Sequence, residues 1–209
     1  MDICLCNASD HMIDLDRIND DSVIVDAGAC IGRFIDAIRN YKEARNCRII
    51  AIEPNRNLVK LLRGRGYLNV KIYEKAFVGQ ESEDKVLFHE ILGLNGWGSI
   101  IRPRTWHPKC RGVDSYDVEA LRINDIFNKF GIDKIDFLKL DIEGAEEAIF
   151  KTMTQKTASR IGQLSVEVHF KNLIGMGLEE TEKLLSGLGF ATCIVLKSEV
   201  YASRSEGGK

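Results

Sequence analysis

Short apolar runs alternate along the chain with segments in which apolar residues recur at helical spacing. The runs that predict strands are Val23–Asp26, Arg48–Ile52, Val70–Glu74, Lys85–Ile91, Ile135–Leu140 and Gln163–Val168. The segments that predict helices are Ile31–Lys42, Arg56–Gly64, part of Val118–Phe130, Gly144–Met153 and Leu178–Leu188. Two closing strands, Thr192–Leu196 and Glu199–Ser203, are predicted on either side of a tight turn, and residues 93–115 are typical of a loop.

This order of elements predicts an α/β fold, a Rossmann-like three-layer sandwich. Its seven-stranded sheet is expected to be mostly parallel because helices connect the strands, with an antiparallel edge strand from the closing hairpin. The single domain is expected over residues 23–203, after an N-terminal extension of residues 1–22 and before a disordered tail of residues 204–209. In such sheets ligands bind at the carboxyl ends of the strands, so the chemistry is expected there.

The first strand runs into the loop Asp26-Ala27-Gly28-Ala29-Cys30-Ile31-Gly32. A dinucleotide-binding loop has the spacing G-x-G-x-x-G, whose middle Gly lets the backbone approach a pyrophosphate. That Gly is missing here, which disfavours an NAD-dependent dehydrogenase. A carboxylate two residues before the first Gly suits the ammonium and sulfonium of S-adenosylmethionine instead. The alternative is a tight strand-to-helix turn with no ligand.

The next two strand ends add candidate contacts to this cofactor. Glu53 ends the second strand, where an acid can accept both ribose hydroxyls, or else it only precedes a helix N-terminus. Phe77 could flank the adenine or belong to the core. The predicted cofactor-binding residues are Asp26, Gly28, Ala29, Cys30, Gly32, Glu53, Pro54, Ala76, Phe77 and Asp141.

The fourth and fifth strand ends carry charged residues where a buried parallel strand should be apolar. Alternation of side chains along the two strands directs these residues toward one opening. The candidate catalytic residues are Lys139, Asp141, Glu143, Glu167 and His169. A histidine suits the role of general base, and Asp141 or Glu167 could orient it or act instead. The alternatives are a helix cap for Asp141 and a surface or internally hydrogen-bonded position for His169. No metal is expected, although one held by Asp141, Glu143, Glu167 and His169 is a further alternative.

These segments together resemble the FkbM-type methyltransferase family. The likeness rests on Val25-Asp26-Ala27-Gly28-Ala29 with Gly32, and on Ala51-Ile52-Glu53-Pro54-Asn55. Its most specific part is the block Asp141-Ile142-Glu143-Gly144-Ala145-Glu146.

The resemblance implies a class I methyltransferase fold and O-methylation, often of sugar or natural-product hydroxyls. It implies donor contacts by Asp26, Gly28 and Glu53, and active-site acids at Asp141 and Glu143. The chain departs from the family at Cys30, where the family usually has Asn, so a side-chain contact to the donor is not expected to carry over at that position.

The loop from Asn95 to Arg111 combines two tryptophans with several basic residues. Tryptophan faces suit sugar rings or bases, and arginines suit phosphate or carboxylate groups. A glycan, a nucleotide-sugar or another small anionic acceptor is therefore expected, and a solvated basic loop is the alternative. The predicted acceptor-binding residues are Trp97, Ser99, Arg102 and Trp106.

Composition narrows the class of protein further. The net charge of the 209-residue chain is −2, which disfavours nucleic acid, although the basic aromatic loop keeps RNA methylation as an alternative. Apolar runs are far shorter than the ~20 residues of a membrane span and no secretory signal is recognised, so a soluble cytoplasmic enzyme is expected. The six cysteines lack zinc-type spacing, which favours reduced thiols. A non-catalytic module that binds S-adenosylmethionine is the remaining alternative, disfavoured by the charged strand ends.

Overall fold

The structure is a computed structural model that describes residues 5–94, 98–101, 108–168 and 177–205. Four of the predicted site residues lie outside the described residues, namely Trp97, Arg102, Trp106 and His169. Residues 206–209 of the predicted tail also lie outside them.

The strands before the middle of the chain are β1 (Leu5–Ala8), β2 (His11–Asp14), β3 (Val23–Ala27), β4 (Arg48–Ile52), β5 (Val70–Tyr73), β6 (Ala76–Val78) and β7 (Lys85–Ile91). The later strands are β8 (Gly98–Ser99), β9 (Val113–Arg122), β10 (Ile135–Leu140), β11 (Ile161–Glu167), β12 (Thr192–Leu196) and β13 (Glu199–Ser203). The strands predicted at β4, β7, β10, β12 and β13 are confirmed residue for residue.

The α-helices are α1 (Arg33–Asn40), α2 (Arg56–Gly64), α3 (Ile123–Phe130), α4 (Glu146–Thr152), α5 (Gln155–Ala158) and α6 (Leu178–Gly187). The prediction for α2 is confirmed at both ends, and α1, α4 and α6 begin or end within a few residues of their predicted bounds. None of the described helices is both long enough and apolar enough to cross a membrane.

Seven strands form the main sheet in the order β12-β13-β11-β10-β3-β4-β5. The neighbouring pairs from β11 to β5 are parallel, and β13 is antiparallel to both β11 and β12. The predicted antiparallel edge strand is therefore wrong in position, since β13 returns between β12 and β11 and the edge strand is β12. All five residues of β13 are buried, as an inner strand requires.

Helices cover both faces of this sheet, in agreement with the predicted three layers. On one face, α3, α4 and α6 contribute to a hydrophobic cluster that includes Val25 of β3. On the other face, α1 packs through Phe34 and Ile35 in a second cluster that includes Ile24. Because successive strand residues are buried on opposite faces, the inner strands are nearly continuous apolar runs, and this is why the sequence reveals them.

The segment before residue 23 folds against the domain. β1 and β2 form an antiparallel hairpin, and every residue of β2 is buried. Ile13 packs in the same cluster as α1, and the backbone N–H of Asp14 donates to Gln163 Oε1 of β11 at 3.0 Å. The hairpin thus brings the side chains of β2 close to β11, at the edge of the predicted site.

A second sheet has the order β6-β9-β7-β8. The loop predicted over residues 93–115 is therefore wrong in two places, since Gly98–Ser99 forms β8 and β9 begins at Val113. The first half of β9 alternates between exposed and half-buried positions, so no apolar run marks it. Its pairing with β7 along seven residues of each strand supplies the stabilisation that burial does not.

Gly28 is a position where the fold tolerates little change. Its φ of +81° lies in the left-handed region, and a Cβ built there would lie 1.8 Å from the backbone oxygen of Asp141. We expect Gly28→Ala to lower the free energy of unfolding by about 2–5 kcal/mol, because backbone strain adds to overpacking against main chain. Urea unfolding followed by circular dichroism measures the change.

The matched control is Gly64→Ala, since a Cβ at Gly64 would have no neighbour within 4 Å. Gly64 ends helix α2, and alanine there should raise the free energy of unfolding by up to about 1 kcal/mol. A Gly28→Ala protein as stable as the wild type would contradict this account of the loop.

Candidate active site

The carboxyl ends of β3, β4, β10 and β11 gather the predicted site residues at one edge of the main sheet. The register places Lys139 of β10 beside Asp26 of β3 on one side and beside Ser165 of β11 on the other. A charged residue at this inner position needs partners of its own, and its contacts organise the site.

Lys139 is a buried ammonium with three oxygen neighbours. Its Nζ lies 3.1 Å from Asp26 Oδ1 and 3.7 Å from Asp141 Oδ2, and it donates to the Gly28 carbonyl oxygen at 2.7 Å. Burial lowers the pKa of Lys139, but the carboxylates of Asp26 and Asp141 raise it by more, so the net shift is upward. Lys139 therefore stays charged at neutral pH and ties the loop after β3 to β10.

Asp26 lies beneath this ammonium with no exposed surface. Neither of its carboxylate oxygens has a hydrogen-bond partner among the described residues, although Oδ1 is within ion-pair distance of Lys139. In this structure the Asp26 side chain neutralises Lys139 and has no surface from which to touch a ligand directly. Its contact with the donor stays a prediction.

The loop after β3 closes over the end of β4. The backbone N–H groups of Gly28 and Ala29 both donate to the Ile52 carbonyl oxygen, at 2.9 and 3.1 Å. Gly32 has a φ of +86°, and a Cβ there would lie 2.6 Å from the Tyr67 hydroxyl. Glycine at this position thus lets the start of α1 pack against α2 and the segment after it, through Leu62 and Tyr67.

Cys30 also adopts a left-handed conformation, with a φ of +50°. Asn tolerates this region better than most residues other than Gly, so an Asn, as is usual in the family, would suit the backbone here better than Cys30 does. The backbone N–H of Cys30 donates to Glu53 Oε2 at 2.8 Å. The main chain of Cys30 therefore keeps a role in the site that does not depend on its side chain.

Glu53 holds a nearly buried carboxylate at the end of β4, with 5% of its surface exposed. Its Oε1 accepts from the backbone N–H of Asn55 at 2.9 Å, and its Oε2 from that of Cys30. Each oxygen keeps a further lone pair, so the two can still accept the two ribose hydroxyls of an adenosine group. Burial raises the pKa of Glu53 to about 7, although the two N–H groups and Lys139 act in the opposite direction.

Asp141 follows β10 and reaches the surface of the site, with 28% of its side chain exposed. Its Oδ2 lies between two nitrogens, 3.7 Å from Lys139 Nζ and 3.9 Å from His11 Nε2. Asp141 is thus an accessible carboxylate beside the loop after β3, with two basic nitrogens near one of its oxygens.

The rest of the Asp141–Glu146 block shapes the backbone. Glu143 has a φ of +56°, and its carbonyl oxygen accepts from the Ser99 hydroxyl at 2.7 Å. Glu146 Oε1 accepts from the backbone N–H of Ile142 at 3.0 Å, at the N-terminus of α4. The block therefore positions Asp141 through its turn, and Ser99 connects β8 to this turn instead of presenting a free hydroxyl.

His11 is a site residue that the sequence did not reveal. It lies on β2 with 3% of its surface exposed, and its ring stands edge-on to Phe34 at a centroid distance of 6.2 Å. No motif surrounds it, and its polar partners Asp141, Ser165 and Glu199 are more than 100 residues away in the chain. The only signal was its place in a short apolar stretch, His11-Met12-Ile13, where a buried histidine needs polar partners.

The side chains of His11, Asp141 and Glu167 lie together, with one ligand-type atom of each within 4.8 Å of the others. Such a group could share a cation. The ammonium of Lys139 already stands 3.7 Å from Asp141 and supplies positive charge there, so we assign no metal to this group.

Three further predicted cofactor residues are buried or half-buried. Phe77 and Ala76 each expose 2% of their surface, and Phe77 belongs to the main core cluster. The structure thus supports the alternative prediction for Phe77, which is a core position. Pro54 is half-buried, between Glu53 and the Asn55 side chain that caps α2.

The α/β fold is shared with solved class I methyltransferases. A solved FkbM methyltransferase from Methylobacillus flagellatus KT matches with a TM-score of 0.57 and 18% identity, over 88% of this chain and 44% of its own. A fibrillarin/Nop5p complex matches with a TM-score of 0.51 and 11% identity, over 90% of this chain and 75% of its own. At these identities the likeness shows the fold, and the chain spans less than half of the first of these structures.

The chain belongs to the methyltransferase FkbM domain family, whose model matches residues 26–191. Methyltransferase sdnD of Sordaria araneosa is 27% identical over an alignment of 193 residues. The match covers 76% of this chain and 71% of that protein. The AMB antimetabolite synthetase AmbE of Pseudomonas aeruginosa is 21% identical over an alignment of 182 residues. The match covers 72% of this chain but 8% of that protein. The family confirms the predicted resemblance, and S-adenosylmethionine is the cofactor.

The raised pKa of Glu53 predicts how stability changes with pH. A carboxyl group whose folded pKa is raised favours the folded state while it is protonated, and that contribution is lost as pH rises from 4.5 to about 7. We expect Glu53→Gln to be more stable than the wild type at pH 8 by about 1–3 kcal/mol, with the difference shrinking toward pH 5. Urea unfolding at several pH values measures it.

The same variant should bind S-adenosylmethionine more weakly, since an ionised carboxylate is the better acceptor for ribose hydroxyls. Calorimetry of the wild type should show affinity that increases as pH rises through 7, and Glu53→Gln should show little pH dependence. Glu74→Gln is the control, because this half-exposed acid lies one strand away. Equal pH dependence in all three proteins would contradict the role given to Glu53.

Proposed function

We propose that this methyltransferase transfers the methyl group of S-adenosylmethionine to a hydroxyl oxygen of a small acceptor. The observation that carries the proposal is the position of Asp141, an accessible carboxylate beside the cofactor loop with Lys139 and His11 on its Oδ2. Attack by a hydroxyl releases a proton, and a carboxylate at this place can accept it.

The residues after β3 and β4 would hold the donor. Glu53 would accept the ribose hydroxyls, and the backbone from Gly28 to Cys30 would lie along the donor, fixed by Lys139 and Ile52. The bound cofactor supplies a methyl group on a positively charged sulfur, a carbon that an oxygen can attack in line. The positive charge of the donor would be balanced by the surplus of carboxylates at the strand ends.

The transfer itself is a displacement in which one bond forms and one breaks. The acceptor oxygen forms a bond to the methyl carbon, the bond from sulfur to that carbon breaks, and the electron pair stays on sulfur. Asp141 takes the proton of the hydroxyl. General-base catalysis of this kind raises the rate by ~10²–10⁴-fold. Placement of donor and acceptor can contribute up to ~7–11 kcal/mol. Glu143, Glu167 and His169 remain candidates for contacts with the acceptor at the same edge.

The acceptor would lie beside β8. Ser99 of β8 is bonded to the backbone of Glu143, so β8 is held next to the active-site turn. Along the sequence, Trp97 directly precedes β8, and Arg102 and Trp106 follow it within a few residues. Aromatic and guanidinium groups in this stretch of sequence favour a sugar ring with a phosphate or carboxylate, such as a nucleotide-sugar.

Asp141→Asn tests the base. We expect kcat for methyl release to fall by ~10²–10⁴-fold, because the amide cannot accept the hydroxyl proton, while affinity for S-adenosylmethionine changes far less. The assay is release of labelled methyl onto a panel of sugars, nucleotide-sugars, phenols and RNA, with calorimetry for the donor. Asp133→Asn is the control, since this acid is fully exposed after α3.

Methylation of a nitrogen or carbon atom in the product, read by mass spectrometry and NMR, would contradict O-methylation. Methylation of RNA alone would contradict a small acceptor. A kcat unchanged in Asp141→Asn would remove the base from the mechanism.

A further inference from the structure

Two residues outside the family match meet at the active site. The family model covers residues 26–191, whereas His11 lies on the N-terminal hairpin and Glu199 begins β13. Both side chains are buried, with 3% and 6% of their surface exposed, and they lie within ion-pair distance of each other. The active-site edge of this chain is therefore completed by elements that the family pattern does not include.

Glu199 fixes one side of the His11 ring. His11 Nδ1 lies 3.6 Å from Glu199 Oε1 and 3.2 Å from the Ser165 hydroxyl, which itself bonds to the same carboxylate oxygen. The backbone N–H of Met12 also donates to Glu199 Oε1. A buried carboxylate with these donors is held in place, and it stabilises a proton on the imidazole next to it.

The other side of the ring then faces the site. With Nδ1 toward Glu199 and Ser165, Nε2 points to Asp141 Oδ2 at 3.9 Å. The edge contact with Phe34, which stacks in turn on Phe137 at a centroid distance of 5.6 Å, keeps the ring in this orientation. The result is a row of carboxylate, imidazole and carboxylate that runs from the buried interior to the accessible Asp141.

The charged groups that face His11 come from three elements. Glu199 belongs to β13, Asp141 and Lys139 lie at the end of β10, and Glu167 ends β11. Burial and Lys139 lower the pKa of His11, but Asp141 and Glu199 raise it by more, so it lies above its ordinary value of 6.5. The surrounding carboxylates thus favour the protonated imidazole.

We propose that His11 is a positioning residue for methyl transfer, and that the Glu199–His11 pair orients Asp141 toward the acceptor hydroxyl. This inference rests on the proposed function, since it assigns Asp141 as the base. His11 itself is too deeply buried to touch the acceptor. It acts through Asp141, and the N-terminal hairpin is then part of the catalytic apparatus.

The test compares His11→Gln, Glu199→Gln and the control Asp10→Asn, which changes an exposed charge in the turn of the same hairpin. For His11→Gln we expect kcat to fall by about 10- to 100-fold, less than the loss of the base itself, with KM for S-adenosylmethionine within about threefold of the wild type. The wild-type kcat should decline as pH rises through the pKa of His11, because the cation is lost. That decline should be absent in His11→Gln.

A second readout does not depend on turnover. The chain has four histidines, so NMR titration of labelled protein can follow His11 by comparison with His11→Gln. Removing the charge of Glu199 should lower the pKa of His11 and move the decline in kcat to lower pH by the same amount. Asp10→Asn should leave the titration, kcat and KM unchanged.

Three outcomes would overturn the proposal. The first is a wild-type kcat and pH profile in a folded His11→Gln protein. The second is a His11 titration that Glu199→Gln does not move. The third is activity that chelation abolishes and Mn²⁺ restores in the wild type but not in His11→Gln, which would make His11 a metal ligand. A wild type that methylates no acceptor would instead contradict the proposed function, while the titration would still decide whether Glu199 and His11 are paired.

Discussion

The arrangement of the active site depends on one buried ion pair, that of Lys139 with Asp26. Burying either charge alone would be strongly unfavourable, and together they are tolerated in the middle of a parallel sheet. The same ammonium donates to the Gly28 carbonyl and stands beside Asp141, so it joins the cofactor loop to the strand that delivers the base. Donor site and base are thus fixed relative to each other by a single side chain.

Much of this could be predicted from the sequence, because inner parallel strands are apolar on both faces and their ends are marked by charge. β4, β10 and helix α2 were predicted to the residue, and the blocks around Gly28 and Asp141 identified the family. The position of β13 could not be predicted, since its pairing partners are chosen by tertiary contacts that a hairpin pattern does not contain. β9 was not predicted as a strand at all, because strand pairing and not burial stabilises its first half, and its second half was included in a segment expected to contain a helix.

His11 shows that tertiary contacts also limit the prediction of site residues from the sequence. Its partners, Ser165 and Glu199, come from β11 and β13, and only the packing of the hairpin on the sheet brings them together. A motif search follows spacing along the chain and has no access to such a contact. Asp26 differs again: its complete burial beside Lys139 makes it the counter-charge of that ammonium, a role that the sequence pattern did not indicate.

The most direct test of this account is a double-mutant cycle on Lys139 and Asp26, measured by urea unfolding and by calorimetry with S-adenosylmethionine. Lys139→Met should cost about 3–5 kcal/mol of stability because Asp26 is left unpaired, and adding Asp26→Asn should restore much of it. Affinity for S-adenosylmethionine should stay low in both proteins, since the Gly28 carbonyl oxygen no longer accepts a hydrogen bond from Lys139 Nζ. Additive changes in stability, or a Lys139→Met protein that binds S-adenosylmethionine like the wild type, would contradict the account.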